Sequence, residues 1–196
     1  ERSSLKAGVE ETLESELGSI LSHENLPSWT GFIFPPVDVA LVGPPRVLVI
    51  SPRDKIERMK TILLKPDMDV EDMETLEDKL FREENLSALV EDLGGVATYP
   101  TIVRADLSLR GAAVTAAHEW LHTYWFFRPL GWNIFSSPEM NTLNETAADL
   151  AGEELGDLVY RAITGSQLDE EPPTERLKYE DNKFFNFADE MYETRV

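Results

Sequence analysis

The sequence predicts an α+β fold in which a small mixed sheet packs on helices, and three observations carry that reading. Four segments read as helices, three short apolar runs bounded by Gly, Pro or polar residues read as extended, and 196 residues suffice for one well-cored domain. Hydrophobic content of 42% beside 28% charge is ordinary for a globular protein, which excludes a disordered chain.

Residues 3 to 22 place Leu5, Val9, Leu13, Leu17, Ile20 and Leu21 at helical spacing, an amphipathic helix expected to pack on the domain. His23 follows with no partner motif and is not read as a ligand. Phe32 to Ser51 holds Pro35-Pro36 and Gly43-Pro44-Pro45, then Arg46-Val47-Leu48-Val49-Ile50, a short apolar run that reads as a strand. Ile56 to Leu64 fits helix or strand. Asp69 to Glu84 spaces Met73, Leu76 and Leu80 for one face of a second amphipathic helix. Ser87 to Leu93 reads as a further strand, and after Gly94-Gly95 the stretch Val96 to Val103 reads as extended.

A third helix is expected from Ser108 or Arg110 to Phe127, stopped by Pro129 and Gly131. Ser136-Ser137-Pro138 carries turn chemistry. The fourth helix then runs from Asn141 to about Ile163, with Asn141 or Thr142 as cap and Gly165 as stop. Gly165 to Thr174, polar and containing Pro172-Pro173, reads as a linker. The closing aromatics Phe184, Phe185, Phe187 and Tyr192, with Met191, read as packing onto the domain; docking over a cleft or against another part of a longer chain is the open alternative. The expected layout is one domain over 1–196: an N-terminal helix (1–30), a strand-rich part with one helix (31–103), a two-helix site (104–164), and a linker with C-terminal segment (165–196).

The 37 acidic residues outnumber the 18 basic ones, and the net charge of −19 argues against nucleic acid as a partner, since no basic patch interrupts it. Acidic runs such as Asp169-Glu170-Glu171 read as solvated faces. With no cysteine, redox compartment is not legible. No apolar run approaches the roughly 20 residues that span a bilayer, so this fragment is not expected to insert directly. A first residue of Glu1 and an end at Arg195-Val196 inside a helical pattern suggest an excised portion of a longer parent chain. An extracytoplasmic domain of a membrane-anchored parent is compatible with that reading, and localisation stays open.

Chemistry concentrates in His118-Glu119-Trp120-Leu121-His122, which holds two of the three histidines in the chain. Positions i and i+4 share a helical face, so both imidazoles can reach one metal ion while Glu119, turned by about 100°, flanks it. This is the His-Glu-x-x-His pattern of zinc-dependent hydrolases. Such a site needs a third protein ligand and an open fourth position. Asn144-Glu145-Thr146-Ala147-Ala148-Asp149 offers one, with Glu145 and Asp149 on one face of the fourth helix.

His-Glu-x-x-His followed by Asn-Glu-x-x-x-Asp on a second helix resembles the gluzincin metallopeptidases, the clan that includes thermolysin. The resemblance covers about the central third of the chain. It implies a zincin-like fold, with the sheet packed on an active-site helix, and Zn2+ held by His118, His122 and Glu145. It further implies Glu119 as general base on a zinc-bound water, and Asp149 orienting a ligand histidine. Peptides or proteins would be the substrates, and the strand before the motif helix, Ala97 to Thr101, would be a sheet edge that pairs with them. Two features depart from the family. No histidine follows His122 to stabilise the oxyanion; Tyr160, Arg161 and Tyr179 are downstream donors, and the role stays unassigned. The Gly-x-Met-Glu-Asn motif of the related aminopeptidases is missing as well.

The expected activity is zinc-dependent peptide-bond hydrolysis. The alternatives are a degenerate zinc-binding domain of this type acting in binding or regulation, an interaction domain with a coincidental motif, and a metal hydrolase of another substrate class. Asn144-Glu145-Thr146 and Asn85-Leu86-Ser87 also match the glycosylation acceptor pattern, which for Asn144 conflicts with a ligand next door.

Overall fold

Six strands and five helices run through the residues that the computed structural model describes, 2–26, 31–55 and 57–166. Helix α1 (Arg2–His23) leads into β1 (Val39–Val42) and β2 (Arg46–Pro52). After them come β3 (Lys60–Leu64), α2 (Val70–Glu83), β4 (Leu86–Asp92), β5 (Gly95–Val96) and β6 (Thr101–Arg104). Helices α3 (Leu109–Trp125), α4 (Pro129–Trp132) and α5 (Pro138–Thr164) complete the described part. The class is α+β, as expected.

Two three-stranded sheets stand where one small mixed sheet was expected. The first has the order β1-β6-β5, with β1 parallel and β5 antiparallel to β6. The second is antiparallel, β3-β2-β4, with Val47 opposite Leu63 and Glu91. The split falls between β1 and β2 at Gly43-Pro44-Pro45, whose two prolines have no N–H to offer a ladder.

The core lies between the first sheet and the helices. Leu13, Leu17 and Leu21 of α1, Val39, Val103, the Ala112, Ala113, Ala116 and Ala117 face of α3, Trp120 and Leu121, and Leu155 and Val159 of α5 are all buried there. Small residues let α3 and α5 approach closely. A Cβ on Gly156 would stand 2.4 Å from Val114 Cα, and one on Gly152 would stand 3.0 Å from His118 Cα. Only glycine fits where the backbones come this near.

Edge strands leave backbone groups without partners. At β1 the outward N–H groups of Val39 and Leu41 donate to Glu14 (2.8 Å) and Glu10 (2.6 Å) of α1. At β4 the Val90 N–H donates to Glu77 of α2 at 2.7 Å. Among the described residues no side chain closes the edge at β5.

Several boundaries differ from expectation. The first helix forms, but Leu5 is 67% exposed, so its buried stripe begins only at Leu13. The ambiguous stretch 56–64 yields the strand β3. The extended run 96–103 is two strands, because residues 97–100 turn: Thr98 N–H bonds back to Val96 O at 2.8 Å and Pro100 has no N–H to offer. The fourth helix begins at Pro138 rather than Asn141. Ser137 Oγ caps it by accepting from Met140 N–H, and proline is favoured in the first turn because its missing N–H would be unpaired there anyway. Gly165 ends the helix in the left-handed region at φ 66°. No described helix is long and apolar enough to cross a membrane. The expectations for the linker beyond Ser166, the C-terminal aromatics and Tyr179 lie outside the described residues.

Candidate metal centre

Helix α3 carries the first half of the site. Ser108 caps it by accepting from Gly111 N–H at 3.1 Å. Within the pentapeptide Trp120 and Leu121 face the core and are buried, and Trp120 Nε1 donates to Pro35 O at 3.0 Å. That leaves His118 and His122 half-buried on the opposite face, with their Nε2 atoms 3.0 Å apart and their rings edge-on.

Helix α5 brings the second half. Glu145 Oε2 stands 3.4 Å from His122 Nε2 and 3.7 Å from His118 Nε2. Asp149 Oδ1 meets His118 Nδ1 at 3.1 Å. Asn144, buried, accepts from His122 Nδ1 through Oδ1 at 2.8 Å and donates through Nδ2 to Leu130 O at 3.2 Å. Each imidazole thus has an acceptor at Nδ1. An Nδ1–H donor is a ring whose neutral form carries a lone pair at Nε2. With both rings neutral, two lone pairs and a carboxylate oxygen would converge on one point with no hydrogen among them. Only a proton or a metal cation relieves that convergence.

The triangle has the size a metal requires. Ligand bonds of about 2.0–2.1 Å in a tetrahedron place neighbouring donors about 3.3–3.4 Å apart. The three observed separations of 3.0, 3.4 and 3.7 Å bracket that value.

Two carboxylates compete for the third ligand position, since a Glu119 oxygen also lies within 4.8 Å of both imidazole donor atoms. Their electrostatics separate them. Hydrogen bonds from His118 and His122 hold the Glu145 carboxyl down at about 2, against the burial that would raise it. Burial raises Glu119, and the nearby histidines only partly offset this. Burial also opposes the charge on His118, but the hydrogen bond to Glu145 and the charges of Glu119 and Asp149 outweigh it, so its pKa is raised. Glu145 is the partnered anion and Glu119 the desolvated one.

A cavity of about 460 Å³ opens over these groups, lined among others by Gly95, Val96, Ala97, Glu119, Asn141 and Phe135. Its β5 wall comes close because residue 95 is glycine: a Cβ there would meet Ile102 O and Thr115 Cγ2 at 2.7 Å and Glu119 Cγ at 2.8 Å. The free sheet edge lies at β5 rather than at Ala97 to Thr101. β6 is paired on both sides, while Arg104 N–H bonds to Gly94 O at 2.8 Å, so ladder alternation turns the N–H and C=O of Gly95 outward.

His118, His122, Glu145, Glu119 and Asp149 are therefore gathered in one place, and His23 sits exposed beside Glu24 at 3.3 Å. Tyr160 and Arg161 do not line the cavity. Sequence reasoning missed the part played by Asn144, whose signal was a polar residue in phase with Ala148, Gly152 and Leu155 on the buried face of α5. It also missed Gly95 and the Gly152/Gly156 spacing. Asn144 is too buried to accept a glycan; Asn85, at φ 54°, accepts from Arg53 at 2.9 Å. Compared with protein-family models, curated proteins and solved structures, the chain matches none of them.

Proposed function

We propose that this chain is a zinc metallopeptidase of the gluzincin type, with a zincin-like arrangement of sheet, motif helix and second helix. The observation that carries the reading is the convergence of His118 Nε2, His122 Nε2 and Glu145 Oε2 at 3.0–3.7 Å with Glu119 desolvated beside them. Two neutral imidazoles and one carboxylate suit zinc and leave a position open. A bound zinc ion supplies Lewis acidity, making water acidic and a carbonyl electrophilic near neutral pH.

The chain's own groups do the rest. Asp149 and Asn144 hold the two imidazoles in the tautomer that presents Nε2. Glu119 takes a proton from the attacking water as its oxygen bonds to the peptide carbonyl carbon. It then delivers that proton to the amide nitrogen as the C–N bond breaks, leaving a carboxylic acid and an amine. The outward backbone of Gly95 can hydrogen-bond an extended peptide alongside β5 without reading its side chains.

The test measures zinc stoichiometry and cleavage of an unstructured protein, with and without a chelator. Glu119→Gln is expected to retain zinc and lose activity by about 10²–10⁴-fold. Glu145→Ala should weaken zinc binding itself. Stoichiometric zinc without any cleavage would favour the non-catalytic binding domain instead.

A further inference from the structure

The site as described has a base and a metal-binding triangle but no side-chain donor for the oxyanion. Among the described residues, seven polar side chains line the cavity: His118, Glu119, His122, Thr123, Asn141, Asn144 and Glu145. Six of them are committed. The histidines point Nε2 at each other and at Glu145, and Glu119 and Glu145 are acceptors when ionised. Thr123 Oγ1 donates to Glu119 O at 3.1 Å. Asn144 spends both ends of its amide, on His122 and on Leu130 O. Asn141 is left: half-buried, one turn before Glu145 on α5, and without a side-chain hydrogen bond among the described residues.

We infer that Asn141 is a catalytic residue whose carboxamide N–H donates to the oxyanion of the tetrahedral adduct. This rests on the peptidase reading above. The i, i+4 relation puts Asn141 and Glu145 on one face of α5, and both line the cavity that opens over the triangle, where a substrate carbonyl would lie. Rotation about χ2 presents its NH2 group. A primary amide suits the task for two reasons. It is neutral, so it does not compete with the metal for the carboxylates, and it does not titrate, so its help is the same across the working pH range. A donor placed in advance strengthens only as charge develops on the oxygen, which lowers the barrier rather than tightening ground-state binding.

The experiment compares the zinc-loaded full chain with Asn141→Ala and the near-isosteric Asn141→Asp, whose ionised carboxylate has no hydrogen to donate. Both are expected to keep one zinc and to lose about 10²–10³-fold in kcat with little change in KM, the Asn141→Ala loss being constant with pH and the Asn141→Asp loss easing at low pH, where a protonated carboxyl regains a hydrogen to donate. Affinity for a tetrahedral phosphonamidate peptide should fall in parallel with kcat/KM, while affinity for the uncleaved substrate, measured in the Glu119→Gln background, should not fall. Wild-type kcat in either variant, or a loss confined to KM, overturns the assignment of Asn141 and leaves the peptidase reading standing. A wild-type chain that binds zinc and cleaves nothing overturns both.

Discussion

Helices α2 and α3 occupy very different settings. α2 packs on the second sheet and has no fully buried residue, although Met73, Leu76 and Leu80 form a clean apolar face. α3 has seven buried residues and touches the first sheet, α1 and α5. The difference teaches how to weigh titratable side chains. The acids of α2 are mostly solvated and need no partners. His118, Glu119 and His122 sit on a helix walled by other elements, where polar groups persist only with partners that offset their desolvation.

The comparison breaks most decisively through the core. Trp120→Ala is expected to destabilise the metal-free chain by about 3–5 kcal/mol. Leu76→Ala, on the half-buried face of α2, is expected to cost about 1 kcal/mol. Denaturant unfolding monitored by circular dichroism checks both, and equal costs would mean that α2 is as deeply anchored as α3. A second contrast uses glycine. Gly156→Ala drives a methyl group into the Val114 backbone and should cost about 1–3 kcal/mol while lowering zinc affinity, because Glu145 and Asp149 ride on the displaced helix. Gly8→Ala meets nothing within 4 Å inside α1 and should stabilise by about 0.4–1 kcal/mol.

The two imidazoles sharpen the comparison within α3 itself. Asn144→Ala leaves the His122 Nδ1–H without its buried acceptor, and zinc affinity should fall about 10–100-fold. Asp149 is far more exposed, with 72% of its side chain in solvent, so water can replace its carboxylate at His118. Asp149→Ala should therefore lie at the lower end of that range. A larger loss at Asp149 than at Asn144, by competition titration with a chromogenic chelator, would show that charge rather than burial holds the rings.

These contrasts also explain what was legible in the sequence. The starts of α2 and α3 fall at the expected Asp69 and at Ser108, the first of the two positions expected, because each has a short side chain whose oxygen accepts from an N–H three residues on, a local signal. The start of α5 was misplaced because Asn141 and Thr142 are also good caps, and only the Ser137-Pro138 pair distinguishes the true one. Helical spacing was enough to pair His118 with His122 and Glu145 with Asp149, while the meeting of the two pairs was an expectation from the resemblance to gluzincins. The roles of Asn144 and Gly95 depend on the approach of α5 and β5 to α3. Such non-local distances leave no periodic trace in the chain.

The last expected effect is on pH, and its sign follows from two opposed shifts. Glu145, ordinarily near 4.5, is held at about 2 by hydrogen bonds from the histidines, so its contribution to folding is present above 4.5 and fades as pH falls toward 2. His118 is raised above 6.5 by its carboxylate partners, so its contribution is complete below 6.5 and is lost as pH climbs through the raised value. In the metal-free chain the two overlap between about 4.5 and 6.5, which is where the cluster stabilises most. Zinc reverses the upper limb, because it binds the neutral imidazole and must displace the proton that the carboxylates favour. The rise in Tm on adding zinc should be small at pH 5 and grow steadily toward pH 8. An increment that is flat over this range would mean that His118 does not exchange a proton for the metal, and would remove it from the ligand set.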